Sequence, residues 1–224
     1  MTRIAPQTSA APDKLSGKTP APRAVGRLSA VALFLIIAVA GLAADLASKH
    51  YVFKHLLGDP SLAGEVERLK FLARHSGEPL DPQEALRHLN PHRRLCPGVT
   101  LTLSTNPGIV FGLSMPRWLV AIATVVTIGL VFYFFATSAA AARLLHAALA
   151  CVLAGALGNL YDRLFASVEV PGDGIIRYQV RDFIDCSELY YPWVFNIADV
   201  LLVVGVAMLL LNSVLAQQRR KRPS

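Results

Sequence analysis

Asp45, Asp162 and Asp199 stand at or inside the ends of long apolar runs, and Asp182 stands in the segment that joins two of those runs. Carboxylates in or beside hydrocarbon are costly to keep charged and rarely persist without a task. Two that come close cannot both ionise easily, so they share one proton. One can then activate water while the other protonates a carbonyl oxygen or a leaving amine. That is peptide hydrolysis without a metal or a covalent intermediate. Asp199 is followed at once by Leu201, Leu202, Val203 and Val204, about six residues into its run, and must face the interior of a helix bundle. Asp182, in Val180-Arg181-Asp182-Phe183-Ile184-Asp185, can turn toward it from a strand on the Tyr178–Val180 face. Asp162 is the rival first acid. Its neighbour Arg163 is expected to pair with an acid, and a paired acid stays ionised, which suits an orienting role better than proton exchange.

Polar residues at helical spacing accompany these acids. Asn196 precedes Asp199 by three residues and shares its helical face, as Asn159 does with Asp162. Gly155 and Gly158 allow another helix to pack closely. Asp45 and Lys49, four apart, suit a helical ion pair. An interfacial anchor with Lys49 reaching water and a direct role toward substrate are both open for them. His50, His55, His75, His88, His92 and His146 form no H-E-x-x-H spacing, no Ser sits in G-x-S-x-G, and no glycine-rich phosphate loop is present. No metal and no cofactor are expected.

The elements that must position these groups are membrane helices. The chain of 224 residues is 54% hydrophobic and 17% charged, and its apolar residues gather in runs at Leu28 to Ala44, Trp118 to about Ala142, Leu144 to about Leu160, and Trp193 to about Ala216. Each is close to the ~20 residues that cross ~30 Å of hydrocarbon. Lipid offers no partner for backbone amides, so these runs are predicted to be helices. A tight hairpin is expected near Thr137 to Arg143. The first run is longer than a cleaved signal core and leads straight into Asp45, so it is read as a retained span.

Charge sets the topology. Arg3, Lys14, Lys18, Arg23, Arg27, Arg143 and the terminal Arg219-Arg220-Lys221-Arg222 place both termini in the cytoplasm. The net charge of +7 mostly reflects this bias, and no nucleic acid is expected as a partner. Residues 1–27 are expected to form a disordered cytoplasmic tail and 217–224 a basic one, around a unit over 28–216. Val99 to Ser104 alternates like a half-exposed strand, and Asn106-Pro107-Gly108 marks a turn into Ile109-Val110-Phe111, predicting a β-hairpin. A third strand is expected to run from Ile176 through Val180 toward Asp182. Cys96 and Cys186 both fall in outer segments, where a disulfide is possible. A proton-coupled transporter would spread ionisable groups through the membrane depth, and the deep parts of these runs carry almost none. A non-catalytic binding protein is the other alternative.

Five blocks in this order resemble bacterial lipoprotein signal peptidase, also called signal peptidase II. They are Asp45-Leu46-Ala47-Ser48-Lys49, Asn106-Pro107-Gly108-Ile109-Val110-Phe111, Gly158-Asn159-Leu160-Tyr161-Asp162-Arg163, Val180-Arg181-Asp182-Phe183-Ile184-Asp185 and Phe195-Asn196-Ile197-Ala198-Asp199. The resemblance implies an all-α membrane protein of four transmembrane helices with a small periplasmic β element, in the bacterial inner membrane. It implies an aspartyl endopeptidase that cuts diacylglyceryl-modified prolipoproteins before the lipobox cysteine. By position Asp182 and Asp199 are the catalytic pair. Asn106, Gly108, Asn159, Asp162, Arg163, Asn196 and Ala198 then line or orient the site, with Asp45 and Lys49 supporting it. Prolipoprotein and membrane lipid are the expected partners, and the chain is expected to act as a monomer. It departs from the family's pattern in about fifty residues before the Asn106 block, in Ile109 and Val110 where small residues are usual, in a long segment between Arg163 and Asp182, and in Arg181, where an apolar residue is usual.

Overall fold

The computed structural model of the chain describes residues 23–75, 81–110, 113–171 and 174–221. Among these, four helices are long and apolar enough to cross a membrane. α1 is Leu28–Leu57. At ~1.5 Å per residue its 30 residues reach about 45 Å, beyond the ~30 Å of hydrocarbon, so its last turns carry Lys49, Val52 and Phe53 into the layer above. The short helices α2 (Ala63–His75) and α3 (Pro82–Leu89) follow, then strands β1 (His92–Cys96), β2 (Val99–Asn106), β3 (Ile109–Val110) and β4 (Leu113–Ser114). α4 (Arg117–Thr137) runs back and α5 (Arg143–Phe165) returns, joined by the expected tight turn. β5 (Ser167–Val170), β6 (Gly174–Arg177), β7 (Val180–Asp185) and β8 (Val194–Phe195) lead into α6 (Ile197–Lys221).

α5 is the centre of the bundle and packs on α1, α4 and α6. Its Ala148, Ala150, Ala154, Gly155 and Ala156 are buried, and these small side chains let the neighbouring backbones approach. A Cβ on Gly155 would run into the carbonyl oxygen of Ala198 on α6. The outward faces of α4 and α6 carry exposed Val, Leu and Phe, as lipid-facing surfaces must.

The strands stand at one end of the bundle. The main sheet has the order β1-β2-β7-β8, all antiparallel. β2 therefore pairs with β1 and β7. The expected hairpin between 99–104 and 109–111 does not form: Ile109 and Val110 pair with Ser114 and Leu113, and Phe111 lies outside the described residues. The single strand expected from Ile176 to Asp182 is broken. β6 pairs back on β5, and Tyr178 turns the chain at φ +63° before β7 begins. The long insertion between α1 and β1, which holds α2 and α3, is ordered where described. Leu69 of α2 and Ala85, Leu86 and Leu89 of α3 form one core with Val52, Phe53, Val168, Ile176 and Phe183, so the insertion packs the strand layer down onto the end of α1.

Most of the tail over 1–27 lies outside the described residues, but its end is fixed. Arg23 bridges Ala139, and Ala24 N donates to Ser138 O at 3.0 Å, tying the start of α1 to the α4–α5 turn. Cys96 and Cys186 are free thiols. Cys96 pairs with Val99 while the next residue, Thr100, pairs with Asp185 on the other side of β2. Two strand spacings, roughly 10 Å, separate the cysteines, too far for a disulfide.

Candidate active site

Asp182 is the third residue of β7, which is covered by β2 on one side and β8 on the other, and it is only 4% exposed. Asp199 is the third residue of α6. It does not lie deep in a span, because Trp193 to Phe195 belong to a loop and to β8, and the helix starts only at Ile197. Asn196 and Asp199 form a reciprocal cap. Asp199 N donates to Asn196 Oδ1 at 3.1 Å, and Asn196 N donates to Asp199 Oδ2 at 3.3 Å. The carboxylate also sits at the helix end that favours negative charge.

The two acids are cross-braced by two asparagines. Asn196 Nδ2 donates to Asp182 Oδ1 at 2.6 Å and to Asn159 Oδ1 at 3.2 Å. Asn159 Nδ2 donates to Asp199 Oδ1 at 2.8 Å. Both acids line a single cavity of about 460 Å³, together with Asn106, Asn159 and Arg163. Val120, Ala123, Leu202 and Val203 line its apolar side. Burial pushes the Asp182 carboxyl up from 3.8 to about 7; the negative charge of Asp199 adds to this, while Asn196, Lys49 and Arg163 oppose it.

Beneath the cavity lies a chain of buried ions. Asp45 and Lys49 are both fully buried, with Lys49 Nζ 2.8 Å from Asp45 Oδ2, so Lys49 does not reach water as an interfacial anchor. Lys49 also donates to Asn159 Oδ1 at 3.0 Å and lies 3.2 Å from Asp162 Oδ2. Asp45 Oδ1 accepts from Ala198 N at 2.8 Å. The partner of Asp162 is Arg181, through Nε at 3.1 Å and Nη2 at 2.7 Å, and not its sequence neighbour Arg163. Arg163 instead donates to its own helix at Asn159 O and faces the cavity. Gly158 is required by this packing, since a Cβ there would collide with Asp45 Oδ2. At the cavity rim, Gly108 N donates to Asn106 Oδ1 at 2.9 Å, and Gly108 takes φ +126°, a conformation open to glycine.

A family model described as signal peptidase (SPase) II matches residues 37–215 of the chain. The chain belongs to the signal peptidase II family. It is similar to the lipoprotein signal peptidase of Caulobacter vibrioides, 39% identical over 128 residues covering 54% of this chain and 68% of that protein. The lipoprotein signal peptidase of Shouchella clausii is 37% identical over 118 residues, covering 52% and 70%. Two solved structures described as a bacterial membrane enzyme share the fold. One has a TM-score of 0.58 at 21% identity, over 87% of this chain and 94% of that one. The other has 0.56 at 22%, over 81% and 92%.

All the site residues read from this signal peptidase II sequence meet at the sheet end of the bundle: Asp45, Lys49, Asn106, Gly108, Asn159, Asp162, Arg163, Asp182, Asn196, Ala198 and Asp199. Asp185 turns away, its Oδ1 accepting from Ser187 N at 2.8 Å. Sequence reasoning missed Thr124 and Thr127 of α4 and Tyr191, Trp193 and Phe195 on the cavity wall. It counted Trp193 and Phe195 as the start of the last span. The cap spacing Asn196-x-x-Asp199 was the signal that the helix begins later.

Proposed function

We propose that the chain is a membrane aspartyl endopeptidase that removes the signal peptide from diacylglyceryl-modified prolipoproteins, cutting before the lipobox cysteine, with Asp182 and Asp199 as its catalytic pair. The observation that carries this reading is that the two carboxyls line one cavity and are braced through Asn196 and Asn159. A pair holding one proton has both tools for the reaction. The ionised member takes a proton from water as its oxygen attacks the scissile carbonyl carbon, and the protonated member hydrogen-bonds the carbonyl oxygen. As the C–N bond breaks, a carboxyl returns a proton to the leaving amine. Arg163 puts a positive charge beside the developing oxyanion.

The apolar side of the cavity, built by Val120, Ala123, Leu202 and Val203, suits acyl chains on the substrate cysteine, which hold the scissile bond at the acids. The basic tails support cytoplasmic termini and a sheet end at the outer face of the inner membrane. We further read residues 28–216 as the peptidase unit, flanked by tails and acting as a monomer.

The test is separate Asp182→Asn and Asp199→Asn variants in detergent, with cleavage of a diacylglyceryl-modified prolipoprotein as the readout. Each should lose about 10²- to 10⁴-fold or more in rate. Parent-level cleavage by either variant, at normal protein levels, removes that residue from the pair.

A further inference from the structure

Asp45 and Asp162 perform matching tasks. Asp45 accepts the amide of Ala198, the residue immediately before Asp199. Asp162 accepts the amide of Arg181, the residue immediately before Asp182, at 3.0 Å. Each member of the acid pair is thus preceded by a peptide unit held by a buried carboxylate. Lys49 joins the two holds: it donates to Asp45 Oδ2 and Asn159 Oδ1 and lies 3.2 Å from Asp162 Oδ2.

One lysine does not balance two buried carboxylates. An uncompensated buried charge is strongly destabilising, so a second cation is needed. Arg181 supplies it, through the two-pronged contact of its guanidinium with Asp162 Oδ1. The same carboxylate therefore grips Arg181 by its main chain and by its side chain. Successive strand residues point to opposite faces, so the guanidinium lies behind β7 while Asp182 faces the cavity.

We propose that Arg181 is a positioning residue for the acid pair: its guanidinium neutralises Asp162 and locks the peptide unit before Asp182, leaving Lys49 to hold Asp45 and, through it, the peptide unit before Asp199. This rests on the reading of Asp182 and Asp199 as the catalytic pair. Among the described residues, the side-chain partner of Arg181 is Asp162, and Arg181 does not line the cavity that holds the acid pair.

The experiment compares the purified full chain with Arg181→Met, Arg181→Lys, Asp162→Asn and the Arg181→Met/Asp162→Asn double variant, using diacylglyceryl-modified prolipoprotein and measuring kcat, KM and Tm in the same detergent. Arg181→Met should lose about 10- to 100-fold in kcat, as a misplaced reacting group does. KM should stay within about twofold, since substrate binding is untouched. Arg181→Lys keeps the charge without the fork and should fall between parent and Met variant. The double variant should be no worse than the poorer single variant within about threefold, because the two residues act as one unit. A lowered Tm with parent kcat, or losses that multiply in the double variant, overturns the proposal. If the Met variant does not fold, the Lys variant decides, and parent kcat in it overturns the need for the fork. Parent-level cleavage by Asp182→Asn sinks the pair reading itself. An inactive Asp182→Asn beside a parent-like Arg181→Met sinks only the positioning role.

Discussion

Replacing Asp182 by Asn separates what this carboxyl contributes to chemistry from what it costs the fold. The side chains have the same shape, and the Asn oxygen can still accept the 2.6 Å hydrogen bond from Asn196. In the parent, burial and then the charge of Asp199 raise the carboxyl from 3.8 to about 7. The folded chain thus holds this proton more tightly than the unfolded chain. The resulting stabilisation is fully present below 3.8 and is lost as pH rises to about 7. The displacement spans about three pH units, which at ~1.36 kcal/mol each is roughly 4 kcal/mol. Asn does not titrate and escapes this loss.

Relative to the parent, Asp182→Asn should therefore gain up to roughly 4 kcal/mol between pH 4 and pH 8, on the order of 10 °C in Tm for a chain of this size. The assay is thermal unfolding in detergent at unit pH steps, followed by tryptophan fluorescence, with prolipoprotein cleavage measured alongside. Cleavage should vanish as stability at pH 8 rises. A stability difference between variant and parent that does not change from pH 4 to pH 8 refutes the reasoning, because the carboxyl would then be as comfortable ionised in the fold as in water.

Two further outcomes are expected. The kcat/KM of the parent should fall as pH rises through about 7, since the shared proton leaves Asp182 there; a pH–rate profile flat from 6 to 9 contradicts this. Gly158→Ala should cost ~1–3 kcal/mol by overpacking and should lower cleavage, because the added methyl displaces Asp45 and with it the hold on Ala198 N; unfolding and activity assays on one preparation check both.

The parts of this molecule legible in its sequence are those set by local rules. Run length and the demand for internal backbone hydrogen bonds gave four spans, and helical spacing put Asn159 and Asn196 beside the acids. What depended on contacts across the chain was less visible. Arg163 looked like the partner of Asp162 because it is adjacent, but neighbours on a helix point about 100° apart, and the true partner stands 19 residues away on β7. Trp193 to Phe195 read as helix because they are apolar, yet Trp193 lies in a loop and the main chain of Val194 and Phe195 pairs with β7. Tyr178 read as strand because apolar and polar residues alternate through it, whereas its positive φ ends the alternation. Residues 51–97 carried no chemical pattern because their described part works by packing, bracing the strand layer with Leu69, Leu86 and Leu89.

The contacts also separate two kinds of acid at this end of the bundle. Asp45 and Asp162 are met by Lys49 and Arg181 at 2.7 to 3.2 Å. Cations at that distance hold the two carboxyl groups in fixed positions, as a structural anchor requires. The hydrogen bonds to Asp182 and Asp199 come from neutral amides, those of Asn159 and Asn196. Such donors orient an oxygen without a direct ion pair. Asp162, the rival in the sequence, has the surroundings of an anchor, and Asp182 has those of a group that can keep a proton and give it up. The anchors tie α1 and α5 to the peptide units before the working acids, so the burial that costs the fold at Asp182 is held in place by charges that are already paired.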